Sequence, residues 1–152
     1  MRRLFFFLFV VLGLVSCTNS IKHDEVLAGK RAVEFAQVAF VQQDVERAYT
    51  LVSNSTKRYV PLDKFRETVI RLRPNGRPSG VVATEYEPMP GEKAIYIYIT
   101  VTNLDEQVDY TLTMDGTAAT DYRVSKITRG SASYLPSTPG KKRFPNPITS
   151  QP

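Results

Sequence analysis

The chain is poor in the residues that most often carry chemistry. It has one cysteine, Cys17, and one histidine, His23. That excludes a disulfide scaffold and a Cys/His zinc site within one chain, and leaves little room for a Cys–His nucleophile pair. No glycine-rich phosphate loop is present, which argues against a nucleotide enzyme. A length of 152 residues fits one domain. With 42% apolar and 23% charged residues, the composition is globular, neither disordered as a whole nor fibrous.

The surplus of 20 Lys+Arg over 15 Asp+Glu sits at the ends of the chain. Arg2 and Arg3 lie in front, and Lys141, Lys142 and Arg143 behind, so residues 17–130 are electrically balanced. A balanced domain offers no clustered cations to a phosphate backbone, and nucleic acid is not an expected partner. Arg71, Arg73 and Arg77 flank a Pro-Gly loop and read as a solvated rim.

Arg2 and Arg3 open a short positive segment, and Leu4 to Val15 form an apolar run interrupted only by Gly13. The run is too short for a comfortable bilayer-spanning helix of about 20 residues, and suits the core of an export signal. It ends in Leu14-Val15-Ser16-Cys17, which resembles the lipobox of bacterial lipoproteins. The resemblance covers residues 1–17 and uses the chain's one thiol. It implies a signal peptide over 1–16, cleavage before Cys17, a diacylglycerol thioether on its sulfur, and acylation of the new amino terminus. Several acyl chains matter, because one chain gives only marginal, reversible membrane binding. The implied location is membrane-anchored and extracytoplasmic. In a Gram-negative cell Thr18, not being Asp, implies the outer membrane facing the periplasm.

Residues 17–23 read as a polar tether. A first helix is expected from Asp24 to about Gln42, with Ala28, Ala32, Phe35, Ala36, Ala39 and Phe40 on one face. Its alanines would let another element approach closely. Asp44 suits the cap of a second helix through Ser53, burying Val45, Ala48 and Val52. Pro61 opens a third, with Leu62, Phe65, Val69 and Leu72 at core spacing, and Pro74 to Pro78 ends it.

The period then changes from 3.6 to 2. Val81–Glu87 is an expected strand. Ala94–Thr102 alternates throughout, with Ile95, Ile97, Ile99 and Val101 on one face and Tyr96, Tyr98, Thr100 and Thr102 on the other. Gln107–Asp115 alternates again, Asp115-Gly116 signals a hairpin, and Thr120–Thr128 is a fourth strand. Short turns make this an antiparallel meander with one face for the helices. The expected class is therefore α+β: three helices packed on a curved antiparallel sheet of about four strands, over residues 24–130. Residues 131–152 hold five of the ten prolines, three cations and no periodicity, and read as a disordered or polyproline basic tail. Such a tail could touch anionic envelope polymers.

The order of elements, together with the phrase Ala39 to Ser53 and its Ala48-Tyr49 pair, resembles the NTF2-like (cystatin-like) superfamily. Small bacterial lipoproteins of unknown function share this shape. Some superfamily members are enzymes working from a cone-shaped pocket with an Asp or His and a Tyr donor. The resemblance therefore implies two alternatives: a non-catalytic binding or structural domain, and a pocket enzyme or small-ligand carrier.

The residues favour the first. His23 falls in the tether and is no candidate base. Asp109 and Asp121 read as solvated cross-strand residues, and Tyr49 as a packed, hydrogen-bonded core tyrosine. Glu85, Glu87 and Glu92 lack a His partner and suggest no metal site. No cofactor and no catalytic residue is expected. Tyr96 and Tyr98, with Tyr86 from the neighbouring strand, would stand on the face away from the helices. There they could form a homodimer interface or stack on a glycan or envelope protein, although exposed Tyr–Thr pairs also stabilise a sheet without any partner. Asn54-Ser55-Thr56 matches a glycosylation sequon but reads as a helix end.

Overall fold

The computed structural model describes residues 21–104, 106–131 and 140–150. The export segment and Cys17 lie outside these residues. Helix α1 (Glu25–Ala36) begins where the Asp24 carboxylate accepts the Leu27 N–H at 2.8 Å, and a π-helical turn (Gln37–Val41) continues it. Helix α2 (Val45–Thr50) is capped by Asp44, single-turn α3 (Asn54–Lys57) by Ser53, and α4 spans Leu62–Leu72. Five strands follow: β1 (Gly80–Pro88), β2 (Ala94–Thr102), β3 (Gln107–Thr117), β4 (Asp121–Arg129) and β5 (Lys142–Thr149). They form one antiparallel sheet in the order β4-β3-β2-β1-β5. The α+β class and the helix-then-meander order agree with the sequence. Among the described residues no helix is long and apolar enough to cross a membrane.

The core lies between the helices and the isoleucine face of β2. Ala28, Ala32 and Ala36 are fully buried, and Phe35, Phe40 and Phe65 fill the space above Ile97, Tyr110 and Leu112. Phe40 stacks on Tyr110 at 5.0 Å between ring centroids. The small side chains of α1 bring its backbone close to the sheet, while the aromatic residues supply most of the buried area.

Four expectations need correction. The second helix stops at Thr50, because residues 51–53 leave it to bond the edge of β4: Ser53 N–H donates to Val124 O at 2.8 Å and Val124 N–H to Leu51 O at 3.0 Å. Residues 54–56 therefore open α3 and do not end a helix. Gly116 is not the centre of a turn. It sits on β3 opposite Tyr122 with φ +146°, and the reversal comes at residues 118–120. The residues read as a disordered tail include β5, which pairs with β1 through Ala83–Ile148 and Glu85–Arg143. Pro145 and Pro147 are tolerated there because β5 is an edge strand, where a missing N–H breaks no ladder on the outer side. The domain thus runs to Thr149.

Candidate functional site

The concave space between helices and sheet is largely occupied by side chains. Its tyrosines are engaged: Tyr49 donates to Val60 O at 2.9 Å, and Tyr110 donates to Leu72 O. Burial pushes the Tyr110 phenol up to about 12 and also raises Tyr122. A slot of about 180 Å³ remains between Phe35, Val52, Phe65 and Ile127, with Thr56, Thr68, Ser125 and Lys126 as its polar lining. Asp109 is the cross-strand partner of Thr100, whose hydroxyl donates to it at 2.7 Å. Asp121 holds Arg31 through two contacts of 2.9 and 3.0 Å, and this guanidinium keeps its carboxyl below the ordinary range. Among the described residues no cluster of three His, Cys, Asp or Glu could hold a metal ion.

The tyrosine surface is not the open face expected. Tyr96 is 7% exposed and Tyr98 is 2% exposed. The Tyr98 hydroxyl donates to Glu87 Oε2 at 2.6 Å, and the Lys141 ammonium sits 3.8 Å from the centre of its ring. Lys141 also meets Glu85 at 3.5 Å and donates to Ser131 O. A Cβ at Gly140 would collide with Glu87 Oε1. The chain leading into β5 therefore lies over these rings. Tyr86 is on the opposite face, pairing with Ile97 and packing on Phe144 at 4.8 Å. The reason is a bulge between Ala83 and Glu85. One extra residue reverses the alternation, sending Tyr86 inward and Glu85 and Glu87 outward.

The residues before α1 are not a loose tether where they are described. Lys22 O accepts the Ala118 N–H at 3.0 Å. His23 lies 3.2 Å from the Tyr122 hydroxyl through Nδ1, and 3.3 Å from Glu92 O through Nε2. His23 thus serves as a fastening at the sheet end that carries the β1–β2 and β3–β4 turns.

A recess larger than this slot needs β5 to exist. One wall is Val26, Lys30 and Val33 of α1 with Gln37 of the π-helical turn, and the other is Phe144, Pro145, Pro147 and Ile148. These walls bound a groove of about 690 Å³, within the range of small-molecule sites. Helix α1 touches β5 at Gly29: a Cβ there would collide with Ile148 Cδ1 and come within 2.9 Å of Phe144 Cζ. Gln42, Arg47, Thr149 and Ser150 line it as well. Glu34, the carboxylate in the lining, is held by Arg31 at 2.9 Å. Lys30 and Arg47 are exposed and make no ion pair among the described residues. Gln37 Oε1 is buried with no hydrogen-bond partner among the described residues.

Sequence reasoning missed this groove because it read β5 as tail. The available signals were Gly29 within the alanine stripe of α1, and Phe144 and Ile148 four apart on either side of Pro145 and Pro147. No family model, no curated protein and no solved structure matches the chain.

Proposed function

We propose that the chain is a lipid-anchored envelope protein, fastened through Cys17, whose α+β domain of NTF2-like design binds a ligand and performs no catalysis. The observation that carries the reading is Leu14-Val15-Ser16-Cys17, which places the single thiol directly behind an export-type apolar run. Two structural features support it. Lys22 and His23 are stitched to the domain, and five residues reach at most about 17 Å, so an acyl group on Cys17 would hold the turn-bearing end of the sheet close to the bilayer. The groove combines an apolar body with Lys30 and Arg47, which make no ion pair among the described residues, and with Glu34, which Arg31 holds.

The test is labelling of expressing cells with a clickable fatty acid, comparing wild type with Cys17→Ser. The expected result is a labelled wild-type protein in the membrane fraction and an unlabelled variant. Equal labelling, or an unlabelled wild type, would overturn the anchor.

A further inference from the structure

We propose that the α1–β5 groove binds a single-chain anionic amphiphile. The inference rests on the reading of the domain as a binding module next to a membrane, and supplies its ligand class.

The groove has a direction. Val26, Phe144 and Pro145 present apolar surface at one end, where Val26 is 48% exposed. Ser150 N–H donates to Val81 O at the other end, beside Gln37, Gln42 and Arg47. From Val26 to Gln37 the helix rises about 16 Å, the reach of an extended hydrocarbon chain. An apolar trough closed at one end by a guanidinium suits a chain with an acidic head, because Arg presents a rigid fork to phosphate or carboxylate. Lys30 adds a second cation along the rim. Glu34, the acidic residue of the described lining, is held by Arg31, so Lys30 and Arg47 leave this rim positive and its charge complement is an anion.

Gln37 belongs to the same wall. Its buried Oε1 can only accept, and a buried acceptor without a donor is costly. It opens the π-helical turn, in which Gln42 N–H donates to Gln37 O at 2.9 Å, and Gln43 follows at φ +60°. Such turns recur at functional sites. Gln37 Oε1 itself is closed off from the groove, so the ligand class rests on the apolar walls and on Lys30 and Arg47. A peptide strand is a poorer occupant, because Pro145 and Pro147 remove N–H groups from the edge it would pair with.

The probe is lysophosphatidylglycerol with a photoactivatable acyl chain, added to the full-length protein in phosphatidylcholine vesicles. The choline analogue is the comparison, and cross-linked residues are located by mass spectrometry. Labelling is expected to concentrate on Val26, Val33, Phe144 and Pro147, to exceed the choline analogue several-fold, and to fall about tenfold in Arg47→Glu and several-fold in Lys30→Glu. Thermal melting of each variant confirms that the fold is kept. Labelling spread over the surface, equal labelling by the choline analogue, or no loss in Arg47→Glu would overturn the proposal. A groove residue cross-linked to protein would assign the face to a protein partner and overturn it too. The state of Cys17 is read in the same spectra. An unmodified thiol with a labelled groove refutes the anchor alone, and an acylated thiol with an unlabelled groove refutes the ligand class alone.

Discussion

The hydroxyl of Tyr122 on β4 accepts the backbone N–H of Asp24 at 2.9 Å, and so fixes the residue that caps α1 to the far edge of the sheet. The bond joins positions 98 apart in the chain and sits beside His23. A segment that would otherwise swing freely is thereby made part of the domain. Tyr122 is 1% exposed, so its hydroxyl has little water to fall back on.

Replacing Tyr122 by Phe removes that acceptor and is expected to cost about 1 kcal/mol. The Asp24 amide should then exchange with solvent roughly fivefold faster, while the amide of Ile97 in the sheet centre keeps its protection. An unchanged Asp24 exchange rate would show that the arm is held by other means.

Gly29 and Ile148 form a second long-range pair. Valine at a mid-helix glycine would ordinarily gain a little helix propensity. Here it collides with β5, and Gly29→Val is expected to destabilise by about 1–3 kcal/mol. In an Ile148→Ala background the penalty should shrink by at least about 0.5 kcal/mol. Strict additivity in urea denaturation would mean that α1 and β5 do not touch there.

The cover over Tyr98 gives a third test. Gly140→Ala places a methyl against Glu87 and should lift the entry to β5, so that trypsin cleaves after Lys141 faster than in wild type. Tyr98→Phe takes a donor from the buried Glu87 carboxyl, which is 1% exposed, and is expected to cost about 1.5–3 kcal/mol. Wild-type cleavage and melting in both variants would contradict the packing described.

Alkaline pH probes the buried phenols. A phenol whose folded value lies above the ordinary 10 favours the folded state fully below pH 10, and that contribution is lost as pH rises through the folded value. Tyr110, near 12, and Tyr122, also raised, set a window of pH 10 to 12. Absorbance at 295 nm and far-ultraviolet circular dichroism should therefore show the last tyrosines ionising together with loss of structure. Ionisation of all eight tyrosines near pH 10 with the circular dichroism intact would be the contrary result.

The parts of the fold legible in the sequence are those with an undisturbed period. Ala94–Thr102 alternates without a break, and its isoleucine face is buried as read. Period alone fails where the backbone inserts a residue. The bulge at Thr84 leaves no mark in side-chain character, yet it decides that Tyr86 joins Phe144 and not Tyr96. The edge strand β5 was hidden for a different reason: Pro145 and Pro147 carry the signature of a tail, and the contact that orders the segment comes from Gly29 over a hundred residues earlier. A groove built from α1 and β5 could not be read without that strand. Cys17 stands apart, since its role rests on local sequence and not on the fold.

The most direct test of the account is the intact mass of the protein purified from the envelope of a native host. The expected species lacks residues 1–16 and carries diacylglyceryl and acyl groups on a cysteine that is now the amino terminus. A mature protein with a free Cys17 thiol, or one that retains residues 1–16, would contradict it.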